Sequence, residues 1–214
     1  MADKIGFVGY EMEDMILYLA YCICECGKKV AIEDRTEHAM LLRFFDAKEE
    51  QIEKGTAEVI CQGIYLTNAR VPEDEFDVIC LAFGYRLQHP KLYECNKLVA
   101  VTDLLPAHAG LLKKIGQWER TQVLVIRNCM AVKHSVQYIK KLTGIRTTNV
   151  FIIPWDIKDV RIRCSIGVGE YIRIRGLSAG MLETLEKMFE IFEFEPEGEK
   201  TVEMVRKGEQ RWGR

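Results

Sequence analysis

Three carboxylates lie close together near the start of the chain, directly after a short apolar segment. Residues 5–8 read Ile-Gly-Phe-Val, and they are followed by Gly9, Tyr10, Glu11, Met12, Glu13 and Asp14. A glycine between a strand and a helix is where an α/β protein places a loop that binds phosphate through backbone N–H groups. Such a loop needs further glycines, a lysine and a hydroxyl, whereas carboxylates repel phosphate. The position therefore predicts a nucleotide-binding scaffold, and the residue types predict that its usual chemistry is missing.

Eight cysteines also need an explanation. On a helix, Cys24 points about 200° away from Cys22, so at most Cys22 and Cys26 share a face. Two thiols without a nearby histidine do not complete a tetrahedral metal site. We therefore expect reduced thiols packed as small apolar side chains, and no metal. An iron–sulfur cluster shared by two subunits, which would make the chain a redox or metal protein, stays an alternative.

Other residue types offer no catalytic constellation. Four histidines are scattered along the chain: His38, His89, His108 and His134. No pair of them has the spacing of metal ligands on one predicted helix, and no Gly-x-Ser-x-Gly elbow is present. Tyr85 and Arg86 follow a predicted strand, at the edge of the sheet where wound sheets bind ligands, so they are candidate rim residues. We predict no catalytic residue.

The elements that position these residues alternate between short apolar runs and helical patterns. This alternation predicts a doubly wound, mostly parallel sheet flanked by helices. The predicted strands are Ile5–Val8, Val30–Ile32, Val78–Phe83, Leu98–Thr102, Val123–Arg127 and Val150–Ile153. Helices are predicted over Glu11–Cys26, from Thr36 onward, and over Pro106–Gln117, Val132–Leu142 and Ser178–Phe192. Glu58–Leu66 is predicted as an edge strand or hairpin, and Glu170–Arg175 as a half-exposed strand.

Length and composition limit the classes of function. With 214 residues, of which 48% are hydrophobic, we expect one α/β domain over residues 1–193 and a charged tail over residues 194–214. A net charge of -2 favours protein or small-molecule partners over nucleic acid. No apolar run approaches the length of a membrane span and no signal-like segment opens the sequence, so a cytoplasmic protein is predicted. Membrane association through the basic tail stays open, although its apolar face is sparse.

Taken in order, these segments resemble the ParA/MinD family of P-loop ATPases, which carry a deviant Walker A loop. Residues 18–34 are similar to that family's helix with leucine and alanine, its glycine-lysine-lysine-valine turn, and its strand ending in aspartate, here Asp34. Phe76–Ala82 resembles the second family strand, and Val123–Asn128 the strand that ends near the base-recognition asparagine. Ile152–Asp156 resembles the isoleucine-proline-acid segment. The resemblance covers residues 4–192.

The departures from the family pattern fall on the nucleotide-binding positions. The resemblance places the phosphate-binding lysine on or near Met12, the magnesium-binding threonine on Glu13, and the second-strand aspartate on Ala82. Losing these three groups removes the charge stabilisation that phosphoryl transfer needs. The predicted remnants of the nucleotide site are Gly9, Met12, Glu13, Asp14, Asp34, Ala82, Asn128 and Pro154.

The resemblance therefore implies a non-catalytic scaffold or positioning protein that acts through protein contacts and forms a homodimer. TadZ-type proteins, which localise bacterial pilus machinery, are the nearest functional analogy. No cofactor is expected; a nucleotide switch that binds ATP or ADP through unfamiliar groups stays the alternative. Glu11, Glu13 and Asp14 are expected to complement the dipole of the first helix, or to accept a basic side chain from a partner.

Overall fold

The strands form one eight-stranded sheet in the computed structural model, which describes residues 2–114, 120–129, 135–168, 171–194, 202 and 205. The strands are β1 (Asp3–Gly9), β2 (Val30–Asp34), β3 (Glu58–Cys61), β4 (Ile64–Thr67), β5 (Val78–Gly84), β6 (Lys97–Thr102), β7 (Thr121–Cys129) and β8 (Val150–Pro154). Their spatial order is β3-β4-β2-β5-β1-β6-β7-β8. β3 is antiparallel to β4, and the other neighbours are parallel. The predicted fold class is therefore confirmed.

Helices cover both faces of the sheet, because its parallel strands are apolar on both sides. The helices are α1 (Glu13–Glu25), α2 (Met40–Phe44), α3 (Glu49–Lys54), α4 (Pro106–Leu112), α5 (Ser135–Thr143), α6 (Ile157–Gly167) and α7 (Ala179–Ile191), with a short 3₁₀ helix over Pro90–Glu94. Buried side chains of α1, α2, α6 and α7 form one core against the sheet. Those of α4 and α5 form a second core on the opposite face. The carboxyl ends of β1, β2, β5, β6 and β7 meet at one edge.

Two helices begin later than predicted, because the residues before them have left-handed backbones. α1 begins at Glu13 and not at Glu11, whose φ is 48°. α2 begins at Met40 and not at Thr36, and Ala39 immediately before it has a φ of 47°. A helix cannot propagate through a left-handed residue.

Other predicted boundaries differ for local reasons. α4 ends at Leu112, and the predicted extension to Gln117 runs into residues outside those described. Residues 132–134 of the predicted helix Val132–Leu142 also lie outside them. α3 and α6 were not predicted, because both carry many charged residues and little apolar periodicity.

The predicted edge hairpin is confirmed, but the predicted strand over Glu170–Arg175 is wrong. β3 and β4 pair around a Gln62–Gly63 turn. Glu170 lies outside the described residues, and residues 171–175 form no strand, although Ile172 and Ile174 are buried as their alternation indicated. The reason is that the side chain of Gln62 binds both backbone groups of Ile172, at 2.6 and 3.0 Å, in place of a neighbouring strand.

The charged tail is described only in part. Phe194, Val202 and Val205 are buried in the core that α1 and α7 share, and the remaining tail residues lie outside those described. The boundary near residue 193 and the membrane role of the tail thus stay predictions. Within the described ranges, no helix combines the length and apolar character that crossing a bilayer requires.

Ser178 stabilises the start of α7, and a variant at this position tests that role. Its hydroxyl accepts a hydrogen bond from the Met181 amide at 3.2 Å and donates one to buried Asp159 at 2.6 Å. Ser178→Ala should lower the free energy of unfolding by about 1–2 kcal/mol, because it removes a helix cap and a donor to a buried carboxylate. Urea unfolding measures this. The control Ser165→Ala, a half-buried serine in α6, should stay within about 0.5 kcal/mol of the parent.

Candidate functional site

The loop between β1 and α1 begins with a glycine that close packing requires. Gly9 has a φ of +113°, and a Cβ atom there would lie 1.9 Å from the carbonyl oxygen of Val101 on β6. Any side chain would therefore push β1 away from β6. Gly9 is explained by the contact between two strands, without a phosphate.

Asp14 forms a buried ion pair with Arg127 of β7. The two guanidinium nitrogens lie 2.5 and 2.8 Å from the two carboxylate oxygens, and the side chains are 4% and 2% exposed. Arg127 also donates to the carbonyl oxygen of Glu11. Burial would lower the pKa of Arg127, but Asp14 outweighs this and raises it. The pair joins the start of α1 to a strand two positions away in the sheet.

Glu11 is neutralised from two sides. Its carboxylate lies 3.0 Å from the guanidinium of Arg163 on α6 and accepts a hydrogen bond from the Asn128 amide at 3.1 Å. Burial favours a raised pKa for Glu11, but the bond and charge of Arg163 outweigh it, so the pKa lies below its ordinary value. Both Glu11 and Asn128 have left-handed backbones, with φ of 48° and 55°. Such conformations persist where surrounding contacts hold them.

Tyr10 packs against α4, on the face of the sheet that carries the second core. Its amide donates to the carbonyl of Val101 at 2.9 Å, and its ring stacks on His108 of α4 with centroids 4.0 Å apart. His108 Nδ1 in turn lies 2.8 Å from a carboxylate oxygen of Asp103. Every loop residue from Gly9 to Glu11 is therefore held by a contact with another element.

Met12 fills the interior at the position that the resemblance assigns to the phosphate-binding lysine. It is fully buried, and its methyl group lies 3.9 Å from where a Cβ atom on Gly84 would stand. Ala82, the position assigned to the second-strand aspartate, is also fully buried. Neither residue supplies a charge or a ligand atom.

Asp34 is occupied by its own chain. It accepts hydrogen bonds from the Thr36 hydroxyl at 2.6 Å and from the amides of Thr36, Leu41 and Leu42 at 3.1, 2.8 and 3.2 Å. Burial raises its pKa, and the hydrogen bonds oppose this only in part. Its carboxylate organises the turn before α2 and the first amides of that helix.

Asn128 and Pro154 lie at one small cavity between β7, β8 and α6. The cavity has a volume of about 10 Å³ and is also lined by Arg127, Asp159 and Arg163. That volume admits about one water molecule. This enclosed cavity is therefore too small for a base, whereas Asn128 itself is exposed. The predicted remnants do meet at one edge of the sheet, and their role in nucleotide binding stays a prediction.

Glu13 differs from its acidic neighbours. In the part of the chain that the structure describes, its carboxylate has no ion pair and no side-chain hydrogen bond, only its own backbone N–H. Burial raises its pKa, and the negative charges of Asp14 and Asp34 add to this effect beyond what Arg127 offsets. The expectation that all three acids serve the helix dipole is therefore incomplete, because Glu11 and Asp14 are held by arginines of this chain.

Glu13 opens into a groove of about 480 Å³ that we call the loop–helix groove. It runs between the β1–α1 loop, the start of α2 and the end of β5, and its lining includes Tyr10, Glu13, Met40, Phe44, Tyr85 and Arg163. Tyr85 and Arg86, the predicted rim residues, both line it.

The cysteines do not converge on a ligand site. Cys22 is buried, Cys24 half-buried and Cys26 exposed, and none of the three forms a disulfide. Among the described residues, no group of three or more histidine, cysteine, aspartate or glutamate side chains is arranged to hold a metal ion.

Arg127 and Arg163 were not among the predicted site residues. The available signal for Arg127 was a lone arginine in the apolar run Val-Leu-Val-Ile-Arg, since a buried charge needs a counter-charge. Arg163 gave no comparable signal, because it lies among many charged residues of α6.

Similarity to known proteins is found in the fold and not in the sequence. No known protein family matches this sequence, and no curated protein is detectably similar to it. Its structure is similar to that of a ParA family ATPase from Chlorobium tepidum TLS, with a TM-score of 0.55 over 96% of each chain. The chain has a ParA-like fold. The two sequences are 12% identical, so the likeness concerns the fold alone.

The buried pair should govern the stability of this ParA-like domain. Asp14→Asn should lower the free energy of unfolding by about 3–5 kcal/mol, because Arg127 would remain buried without a counter-charge. The double variant Asp14→Leu/Arg127→Met should recover most of that loss, since it buries no charge. Urea unfolding measures both. As a control, Glu11→Gln should cost about 1 kcal/mol or less, because its pair with Arg163 is partly solvated.

Glu13 should destabilise the folded chain at neutral pH. Folding raises the pKa of Glu13, so ionisation of Glu13 lowers the free energy of unfolding above that pKa. This loss disappears as pH falls, because Glu13 is then protonated in both the folded and the unfolded state. Glu13→Gln should therefore be more stable than the parent at pH 7, with the difference shrinking toward pH 4. Denaturant midpoints across this range measure it. The exposed control Glu183→Gln should show no such trend; an equal trend there would contradict the assignment.

Proposed function

We propose that this chain is a ParA-like protein that does not turn over nucleotide and that acts as a scaffold or positioning protein through contacts with other proteins. The observation that carries the proposal is the Asp14–Arg127 pair. It places a buried carboxylate at the start of α1, where a phosphate-binding loop presents amides and a lysine. The buried Met12 and the saturated Asp34 support the same conclusion.

The proposal extends to partners by analogy. ParA-like folds with altered phosphate loops, such as TadZ-type proteins, suggest a homodimer and a role in assembling a bacterial pilus or secretion machine. Exposed apolar side chains at the carboxyl edge of the sheet support a protein-binding face there: Tyr85, Leu105, Trp155 and Ile157. Light scattering of the purified chain tests the dimer.

A nucleotide switch is the second candidate, and the loop–helix groove is the observation that favours it. Its volume of about 480 Å³ and the arginines on its lining, Arg86 and Arg163, suit a ligand of that size and charge. Against it, Arg163 is already paired with Glu11, and Glu13 faces the same space with an unpaired carboxylate. Repulsion between carboxylate and phosphate favours the non-catalytic proposal.

Titration calorimetry distinguishes the two candidates. With ATP or ADP and Mg²⁺, we expect millimolar or weaker dissociation constants, corresponding to about -4 kcal/mol or less favourable. Phosphate release should match that of a protein-free solution. Micromolar ATP binding that Asp34→Asn abolishes would overturn the proposal, because Asp34 would then serve a nucleotide as well as α2.

A further inference from the structure

The loop–helix groove exposes a carboxylate that no described cation neutralises. Glu11 is bound by Arg163 and Asp14 by Arg127, whereas Glu13 has only its own backbone N–H. Burial raises the pKa of Glu13, so its ionised form lowers the free energy of unfolding. A cation entering the groove would offset that cost.

The walls of the groove are suited to a flat, partly apolar ligand. Met40 is 43% exposed and Tyr85 is 36% exposed, and both line the groove together with Phe44. Burial raises the pKa of Tyr85, and the negative charges of Asp103 and Glu13 add to this effect. Tyr85 and Glu13 both line the groove, so the ring and the carboxylate border the same space.

Both arginines of the groove have a partner in the chain. Arg163 is paired with Glu11 at 3.0 Å, and Arg86, which is exposed, donates to the carbonyl of Arg35 at 3.1 Å. The lining carries three carboxylates, those of Glu11, Glu13 and Glu37, against these two arginines, so its formal charge is negative. An anionic ligand would have to approach Glu13, whereas a cation would find a carboxylate and an aromatic wall together.

We propose that the loop–helix groove binds an arginine side chain of a partner protein, with Glu13 pairing with the guanidinium and Tyr85 packing on its flat face. Arginine fits better than lysine, because its planar fork matches a carboxylate and stacks on aromatic rings. The inference rests on the proposed function, since it names the chemistry through which a protein partner would be recognised.

The test is a titration of the full-length, isotope-labelled protein with N-acetyl-arginine methylamide, followed by amide NMR. A small ligand of this kind should bind saturably with a dissociation constant of about 1–10 mM and shift signals of residues 9–13 and 84–86. The citrulline analogue, which is neutral and nearly identical in shape, should not bind measurably. Tyr85→Leu should weaken arginine binding severalfold, because it removes the stacking surface.

Glu13→Gln is the decisive variant, because it keeps the shape of the side chain and removes its charge. It should weaken arginine binding about tenfold or more, while the exposed control Glu183→Gln binds as the parent does. Equal binding by parent and Glu13→Gln, equal binding of citrulline, or no saturable shifts would overturn the inference. None of these results concerns nucleotide, so the proposed function would still be judged separately by the ATP titration.

Discussion

The buried ion pair between Asp14 and Arg127 is the contact on which the rest of the site depends. It fixes the start of α1 against β7, although β6 lies between β7 and the strand that precedes α1. Taking both charges out of water is costly, and their mutual hydrogen bonds offset that cost only while both are present. Removing either partner would therefore leave the other charge buried and unpaired at the start of α1.

The neighbouring contacts follow from that constraint. Since Arg127 also donates to the Glu11 carbonyl, Glu11 is held in a left-handed conformation with its carboxylate facing Arg163 and Asn128. Side chains of this chain therefore occupy the space at the start of α1, and Met12 is fully buried beneath them. Among the three acids of residues 11–14, Glu13 is the one that lines open space without an ion pair to a described residue.

This arrangement changes what the scaffold offers. In a loop that binds phosphate, backbone amides and a lysine converge on an anion. Here Arg127 of β7 pairs with Asp14 at the start of α1, and Arg163 of α6 pairs with Glu11 of the loop, so two of the three carboxylates are neutralised within the chain. The surface that remains for recognition is the groove beside the loop, whose floor is acidic and whose walls are aromatic and apolar.

The sequence by itself predicted the architecture and showed which residue types the segment after Gly9 lacks. Apolar runs of strand length separated by helical patterns predicted the wound sheet, because burial on both faces demands them; the absence of a lysine and a hydroxyl near Gly9 was also readable directly. Only the tertiary structure decided which cations meet which acids. Arg127 and Arg163 lie more than a hundred residues from Asp14 and Glu11. Arg127 meets Asp14 because the parallel strands β1 and β7 end at the same edge of the sheet, and Arg163 meets Glu11 because α6 follows β8 at that edge. Local propensity holds no information on such pairings, whereas strand order does.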